Sequence, residues 1–209
     1  MKMKTLLAAG CAAVLATAGL ADDRKVKVGM ITTLSGGGAG LGIDVRDGFL
    51  LAAKMAGNDT LEIVVEDDQR KPDIAVQLAD KMIQAEKVDV LTGIIFSNLA
   101  MAVIPAATAQ GKFYLSPNAG PSALAGKGCH PNYFNVAWQN DNLHEAAGGY
   151  ANSAGFKNSF ILAPNYPAGQ DAHGLQAHLR GRTGGRGLYQ AGPEGLRLGN
   201  RANPRLGCR

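Results

Sequence analysis

The stretch DVLTGIIFSNLAMAVIPAATAQ, Asp89 to Gln110, runs from an apolar strand straight into a helical segment. Val90, Leu91, Ile94, Ile95 and Phe96 form a short apolar run of the kind found in a parallel strand buried on both faces. Ser97 and Asn98 follow at once, and both residue types favour the N-cap position. The junction presents unpaired N–H groups and a positive dipole end at the C-terminal edge of a sheet. Anions bind at such places without catalytic machinery.

The same alternation runs through residues 26–163. Val26–Ile31 reads as the first strand. The glycine loop 35–42 leads into a helix with Val45, Phe49, Ala52, Ala53 and Ala56 on one face. Leu61–Glu66 is a second strand and Asp67–Lys71 a polar turn; Glu66-Asp67-Asp68 reads as a solvated turn rather than a cation site. Pro72 fits the first turn of the next helix, which Ile74, Leu78 and Met82 line. Val88–Ile95 is the third strand, and Pro105 is expected to kink the helix that follows it. Phe113–Leu115, Tyr133–Ala137 and Ser159–Ala163 read as further strands. A helix over Asp141–Gly155 packs through Leu143, Ala146, Ala147 and Tyr150. This order predicts an α/β fold: a parallel sheet between helices, with sites at the C-terminal ends of its strands.

The two ends of the sequence differ from this body. Lys2 and Lys4, the apolar run Leu6–Ala18 and Gly19-Leu20-Ala21 read as a signal peptide, residues 1–21. The run before Cys11 is too short for a lipoprotein signal. Residues 22–172 carry twelve Lys/Arg and sixteen Asp/Glu, a net charge of −4. Residues 173–209 carry seven Arg and one Glu, a net of +6, so the overall +4 gives no case for nucleic-acid binding by the body. This tail has nine Gly and no Lys, Asp, Ile, Val, Phe, Met or Ser, and it shows no lasting strand or helix period. It is expected to be a disordered basic tail or the product of a shifted reading frame. One permissible codon assignment, read one nucleotide later, restores helix and strand patterning. Cys129 is the body's single cysteine; a free thiol is expected over a bridge to Cys208.

In order, VKVGMITTLSGGGAGLGIDVRDGFLLAAKMA, IVVEDDQRKPDIAVQLADKMI, VDVLTGIIFSNLAMAVIPAA, GKFYLSPNAGPSAL, HPNYFNVAWQND and FILAPNYPAGQDA span residues 22–172. This ordered set resembles the periplasmic solute-binding proteins of branched-chain-amino-acid ABC transporters, the leucine/isoleucine/valine-binding group. The resemblance implies a type I periplasmic-binding-protein fold, with a ligand cleft between two lobes. Residues 22–140 would form the doubly wound sheet of lobe one. Residues 141–172 would supply a crossover helix and the first strand of lobe two. Later returns between the lobes are not matched, which implies a defective binder of marginal stability with an exposed strand prone to aggregation.

The resemblance also implies a set of ligand contacts. Ser97 and Asn98 match the position after strand three, where a hydroxyl and helix N–H groups hold a carboxylate. The loop Ser116 to Gly120, with Asn118 and Ala119, matches a segment touching the ligand's amino and carboxylate groups. Asn118 and Gly120 replace residue types common in leucine binders, and Leu41 stands where many members have a tyrosine. Tyr166 matches an aromatic that covers the ligand. Trp138 either walls the pocket or is an ordinary core residue; Ser35 and Gly36 line the cleft mouth.

The implied function is ligand capture for an ABC importer in the periplasm, by a monomer. Its partners would be a small amino acid or carboxylate and the permease subunits of the inner membrane, with no nucleic acid, cofactor or metal. A receptor's sensory domain and a secreted α/β enzyme share the architecture. No dinucleotide fingerprint, P-loop, zinc-ligand spacing or nucleophile–base pair can be read along the chain.

Overall fold

A computed structural model describes residues 25–57, 59–156, 158–172, 182–192 and 195–200, the last two segments by their main chain. The expected signal peptide and Cys208 lie outside these residues. Five strands form the first sheet: β1 Val26–Thr32, β2 Leu61–Asp67, β3 Val90–Thr92, β4 Phe113–Ser116 and β5 Tyr133–Asn135. Their order is β2-β1-β3-β4-β5 and every pairing is parallel. Helices α1 Ala39–Met55, α2 Pro72–Gln84 and α3 Ser97–Ala109 connect the first four. All the strand C-termini therefore open on one edge.

The core lies where α2 and α3 cover the sheet. Met82, Leu91, Ile94, Leu99, Val103 and Ile104 are fully enclosed there. Gly29 permits this closeness: a Cβ on it would stand 2.7 Å from the Met82 sulfur and 2.8 Å from Leu91 Cδ2. Pro105 sits inside α3, yet the helix continues to Ala109. The packing face expected for α1 is covered only in part. Val45, Phe49 and Ala53 are half-buried, while Ala52 and Ala56 are exposed together with Leu51 and Met55.

The third strand is shorter than the apolar run 88–95 suggests. Gly93 turns the chain with φ 104, and the N–H of Ile94 donates to the buried Tyr114 hydroxyl at 3.2 Å rather than to a ladder partner. Burial pushes that hydroxyl's pKa far above its usual range. The chain then crosses through Phe96 into α3 with every residue from Leu91 to Ser97 buried.

After β5, helix α4 (Asn140–Ser153) leads to β6 Asn158–Pro164 and the short α5 Pro167–Gln170. β6 pairs in parallel with β7 Arg182–Gly192, which pairs antiparallel with β8 Gly195–Asn200. Both of these last strands fall within the basic tail, residues 173–209. Ladder hydrogen bonds join main-chain groups and need no side-chain period, and glycine suits many backbone conformations. The open edge of β6 supplies the first row of partners.

Candidate functional site

Five segments meet at the edge where the parallel strands end: the loop after β1, the turn after β2, Gly93–Ser97, the loop after β4, and the chain entering α4. A cavity of about 220 Å³ opens there, lined by Ile95, Ser97, Asn118, Ala119, Trp138, Asn140, Leu143, His144, Tyr166 and Ala168. Pockets for drug-sized ligands start near ~300 Å³, so this one suits a small metabolite.

Ser97 is the first residue of α3 and is 2% exposed. It does not cap the helix: the extended Phe96 precedes it, and the Phe96 carbonyl accepts from the N–H groups of Leu99 and Ala100 at 3.0 Å each. The N–H groups of Ser97 and Asn98 have no partner among the described residues. The Ser97 hydroxyl oxygen instead accepts from Asn140 Nδ2 at 3.2 Å. The same amide donates to Asp171 Oδ2 at 2.9 Å, which also accepts from the Ser122 N–H at 3.2 Å. One amide thus joins the start of α3, the start of α4 and the segment after α5.

On the opposite side of the edge, the turn after β2 clasps the loop after β1 through Asp67 and the buried Asp68, while Gln69, Arg70 and Lys71 are exposed. Asp67 Oδ1 accepts from the N–H groups of Leu34 and Gln69 at 2.8 and 2.9 Å. Asp68 is fully buried, and its Oδ1 accepts from the Thr33 hydroxyl at 2.6 Å and the Arg70 N–H at 2.8 Å. Burial pushes the Asp68 carboxyl above its ordinary pKa against these bonds, and the neighbouring Asp67 charge adds to the rise. Burial also pushes Asp67 up, but bonds from Ser35, Leu34 and Gln69 outweigh it and hold that carboxyl below its usual value. The clasp holds Gln69 and Arg70 at φ 52 and 59, a region that side chains rarely occupy. The Arg70 guanidinium then lies 4.4 Å from the centre of the Phe96 ring. Phe96 in turn meets Tyr166 edge to face, with centroids 6.4 Å apart.

The cavity brings together five of the residues expected from the sequence: Ser97, Asn118, Ala119, Trp138 and Tyr166. Trp138 is 44% exposed, which rules out the core alternative. Asn118 Nδ2 donates to the Ile95 carbonyl at 3.0 Å. Asn98 follows Ser97 in α3 but does not line the cavity. Ser116 is buried behind it, its hydroxyl donating to the Ala119 carbonyl at 2.5 Å. Gly120 lines a separate hollow on the far side of Trp138, and a Cβ on it would lie 1.8 Å from the Trp138 carbonyl oxygen. Ser35, Gly36 and Leu41 are exposed and outside both. Asn140, Leu143 and His144 were not foreseen as cavity residues. Their i, i+3, i+4 spacing on α4 marks one helix face and is the signal that points to them.

The arrangement combines a helix start, a hydroxyl, amides and two aromatic walls, with no carboxylate in the lining among the described residues. It can hold an anionic group at one end of a flat apolar body. Among the described residues no cluster of three or more His, Cys, Asp or Glu could hold a metal ion, and no helix is long and apolar enough to cross a membrane. Cys129 is an exposed free thiol.

The sequence model of a family described as periplasmic binding protein matches residues 25–185. No curated protein matches the sequence. Among solved structures, the chain is similar to an ABC-transporter solute-binding protein from R. palustris in complex with benzoate. That similarity has a TM-score of 0.75 and 29% identity, over 79% of this chain and 48% of the other. A second R. palustris solute-binding protein, in complex with 4-hydroxybenzoate, gives a TM-score of 0.70 and 26% identity over 80% and 47%. A leucine-binding protein from Thermotoga maritima shares the fold at a TM-score of 0.69 and 21% identity, over 80% and 49%. The chain spans about half the length of the structures it matches.

Proposed function

This chain belongs to the periplasmic binding protein family, and from that premise we propose that it is the exported solute-binding component of an ABC importer for small carboxylates. The permease of that importer is its partner. A flat aromatic acid suits the cavity better than a branched-chain amino acid. The observation that carries this reading is the cavity lining itself: Trp138 and Tyr166 offer planar walls, Ser97 stands at the start of α3, and among the described residues no Asp or Glu lines the space to receive an ammonium group. The benzoate and 4-hydroxybenzoate bound by the two R. palustris proteins agree with it.

In this reading the Ser97 hydroxyl and the N–H groups of Ser97 and Asn98 hold the carboxylate. Tyr166 covers the ring, steadied by its edge contact with Phe96. Among the described residues, the segment after α4 contributes Tyr166 and Ala168 to the lining.

Thermal unfolding of the full chain with benzoate, 4-hydroxybenzoate or leucine tests the proposal. A ligand at a hundred times its Kd adds about 2.7 kcal/mol of stability. A rise in Tm with the aromatic acids that exceeds the rise with leucine is the expected result. If no carboxylate raises the Tm at millimolar concentration, the assignment fails.

A further inference from the structure

We propose that His144 is the charge determinant of this cavity: its imidazolium pairs with the carboxylate of a bound aromatic acid, so that ligand and proton are taken up together. The inference rests on the carboxylate reading above and adds a residue which that reading does not need.

Among the described residues, His144 is the one member of the cavity lining that can carry positive charge. It lies one turn beyond Asn140 on α4, and Asn140 reaches the Ser97 hydroxyl at 3.2 Å. The α4 face that holds both residues is thereby turned toward the start of α3, where the anion is expected. His144 has no hydrogen-bond or ion-pair partner among the described residues, although it is half-buried. A purely structural histidine on a helix surface would not need to face the cavity.

The surroundings of the cavity call for a cation. Asp171 sits against Asn140 at 2.9 Å, immediately behind the lining. On α4 itself, Asp141 lies one turn before His144 and Glu145 beside it; Tyr166 is the other titratable residue of the lining. Neither Asp141 nor Glu145 lines the cavity, so the like charge an incoming carboxylate meets is that of Asp171 behind Asn140. The dipole of α3 offsets part of that repulsion. An imidazolium at His144 offsets more of it, at a short distance and in partial shelter from water. The sign follows directly. A carboxylate keeps its charge toward neutral pH, whereas an imidazole can pair with it only while protonated. Affinity is then greatest on the acid side of neutrality and falls as the pH rises.

Trp138 is the chain's single tryptophan and lines the same cavity, so its fluorescence reports occupancy. The experiment titrates benzoate into the full chain, into H144Q and into H130Q at about pH 5.5 and about pH 8. His130 borders a different hollow, beside Cys129. The expected result is about a five-fold weaker Kd at the higher pH for the unaltered chain and for H130Q. H144Q should bind with the weaker affinity at both values. Calorimetry of the unaltered chain near neutrality, in two buffers of different ionisation enthalpy, should show proton uptake on binding; this measurement does not depend on the folding of any variant. Benzoate binding with a flat pH profile and no proton uptake overturns the role of His144 alone, as does an H144Q profile that retains the full pH dependence. Absence of benzoate binding at either pH overturns the carboxylate reading and this inference together.

Discussion

Asp68 shows how a single side chain can serve geometry at the expense of charge. Its Oδ1 ties Thr33 to Arg70, while Oδ2 is buried without a partner among the described residues. A pKa raised in the folded state means that folding favours the neutral carboxyl. The stability it contributes is full below the unfolded value, near ~3.9, and is lost as pH rises through the folded value. Asp68→Asn keeps the Oδ1 acceptor and removes the charge. The variant should therefore gain in Tm relative to the unaltered chain at neutral pH, and the gain should shrink as the pH falls toward about 4. Melting curves across that range check it; a difference that does not vary with pH rules out the burial argument. Asp67 has the opposite sign, with stability that is lost on acidification, and it is common to both proteins, so the comparison cancels it.

Elements reveal what could be read from residue order and what could not. The strand–helix alternation was legible because burial on two faces leaves continuous apolar runs, and helices α2 and α3 lie where Ile74–Met82 and the segment opening at Ser97 suggested. The end of β3 was not legible, since a hydroxyl twenty residues away takes the Ile94 N–H. The capping role expected of Ser97 failed for a similar reason: its hydroxyl meets Asn140, a partner set by tertiary structure. The strands in residues 182–192 and 195–200 escaped because main-chain pairing leaves no trace in a Gly/Arg composition. Among the residues lining the cavity, Asn118, Ala119, Trp138 and Tyr166 are ones the sequence reading had singled out. The α4 residues were passed over because Leu143 fits a packing face equally well. The layered core makes its own prediction. Leu91→Ala, in the enclosed centre of β3, should cost about 2–5 kcal/mol in urea denaturation. Leu51→Ala on the exposed side of α1 should change stability by no more than about 0.5 kcal/mol. Equal losses at both positions would contradict the observed one-sided core.

At the scale of the whole molecule, apolar surface stands uncovered at several places, among them three pairs of side chains. Leu51 and Met55 face outward on α1, the latter 78% exposed. Phe113 and Phe134, adjacent on β4 and β5, are about half exposed and 6.3 Å apart by ring centroids. Phe160 and Leu162 project from β6. Patches of this kind drive association in soluble proteins. Sedimentation velocity over about 10–100 μM should show the chain associating as concentration rises, against the monomer expected from the family. Charged residues at Leu51 and Met55 should weaken that association. A single 21.7 kDa species across the range would show that these faces are inert.

The kink at Gly93 has a consequence for how the binding edge is laid out. Had β3 run on to Ile95, the carbonyl that now receives the Asn118 amide would be spent on a neighbouring strand. Because a phenol punctuates the ladder early, the main chain at Ile94–Phe96 is released to be scaffolding for the loop after β4, and α3 begins already aimed at the opening. The mouth of the cavity is in this sense drafted from below, by a tyrosine that no solute ever meets.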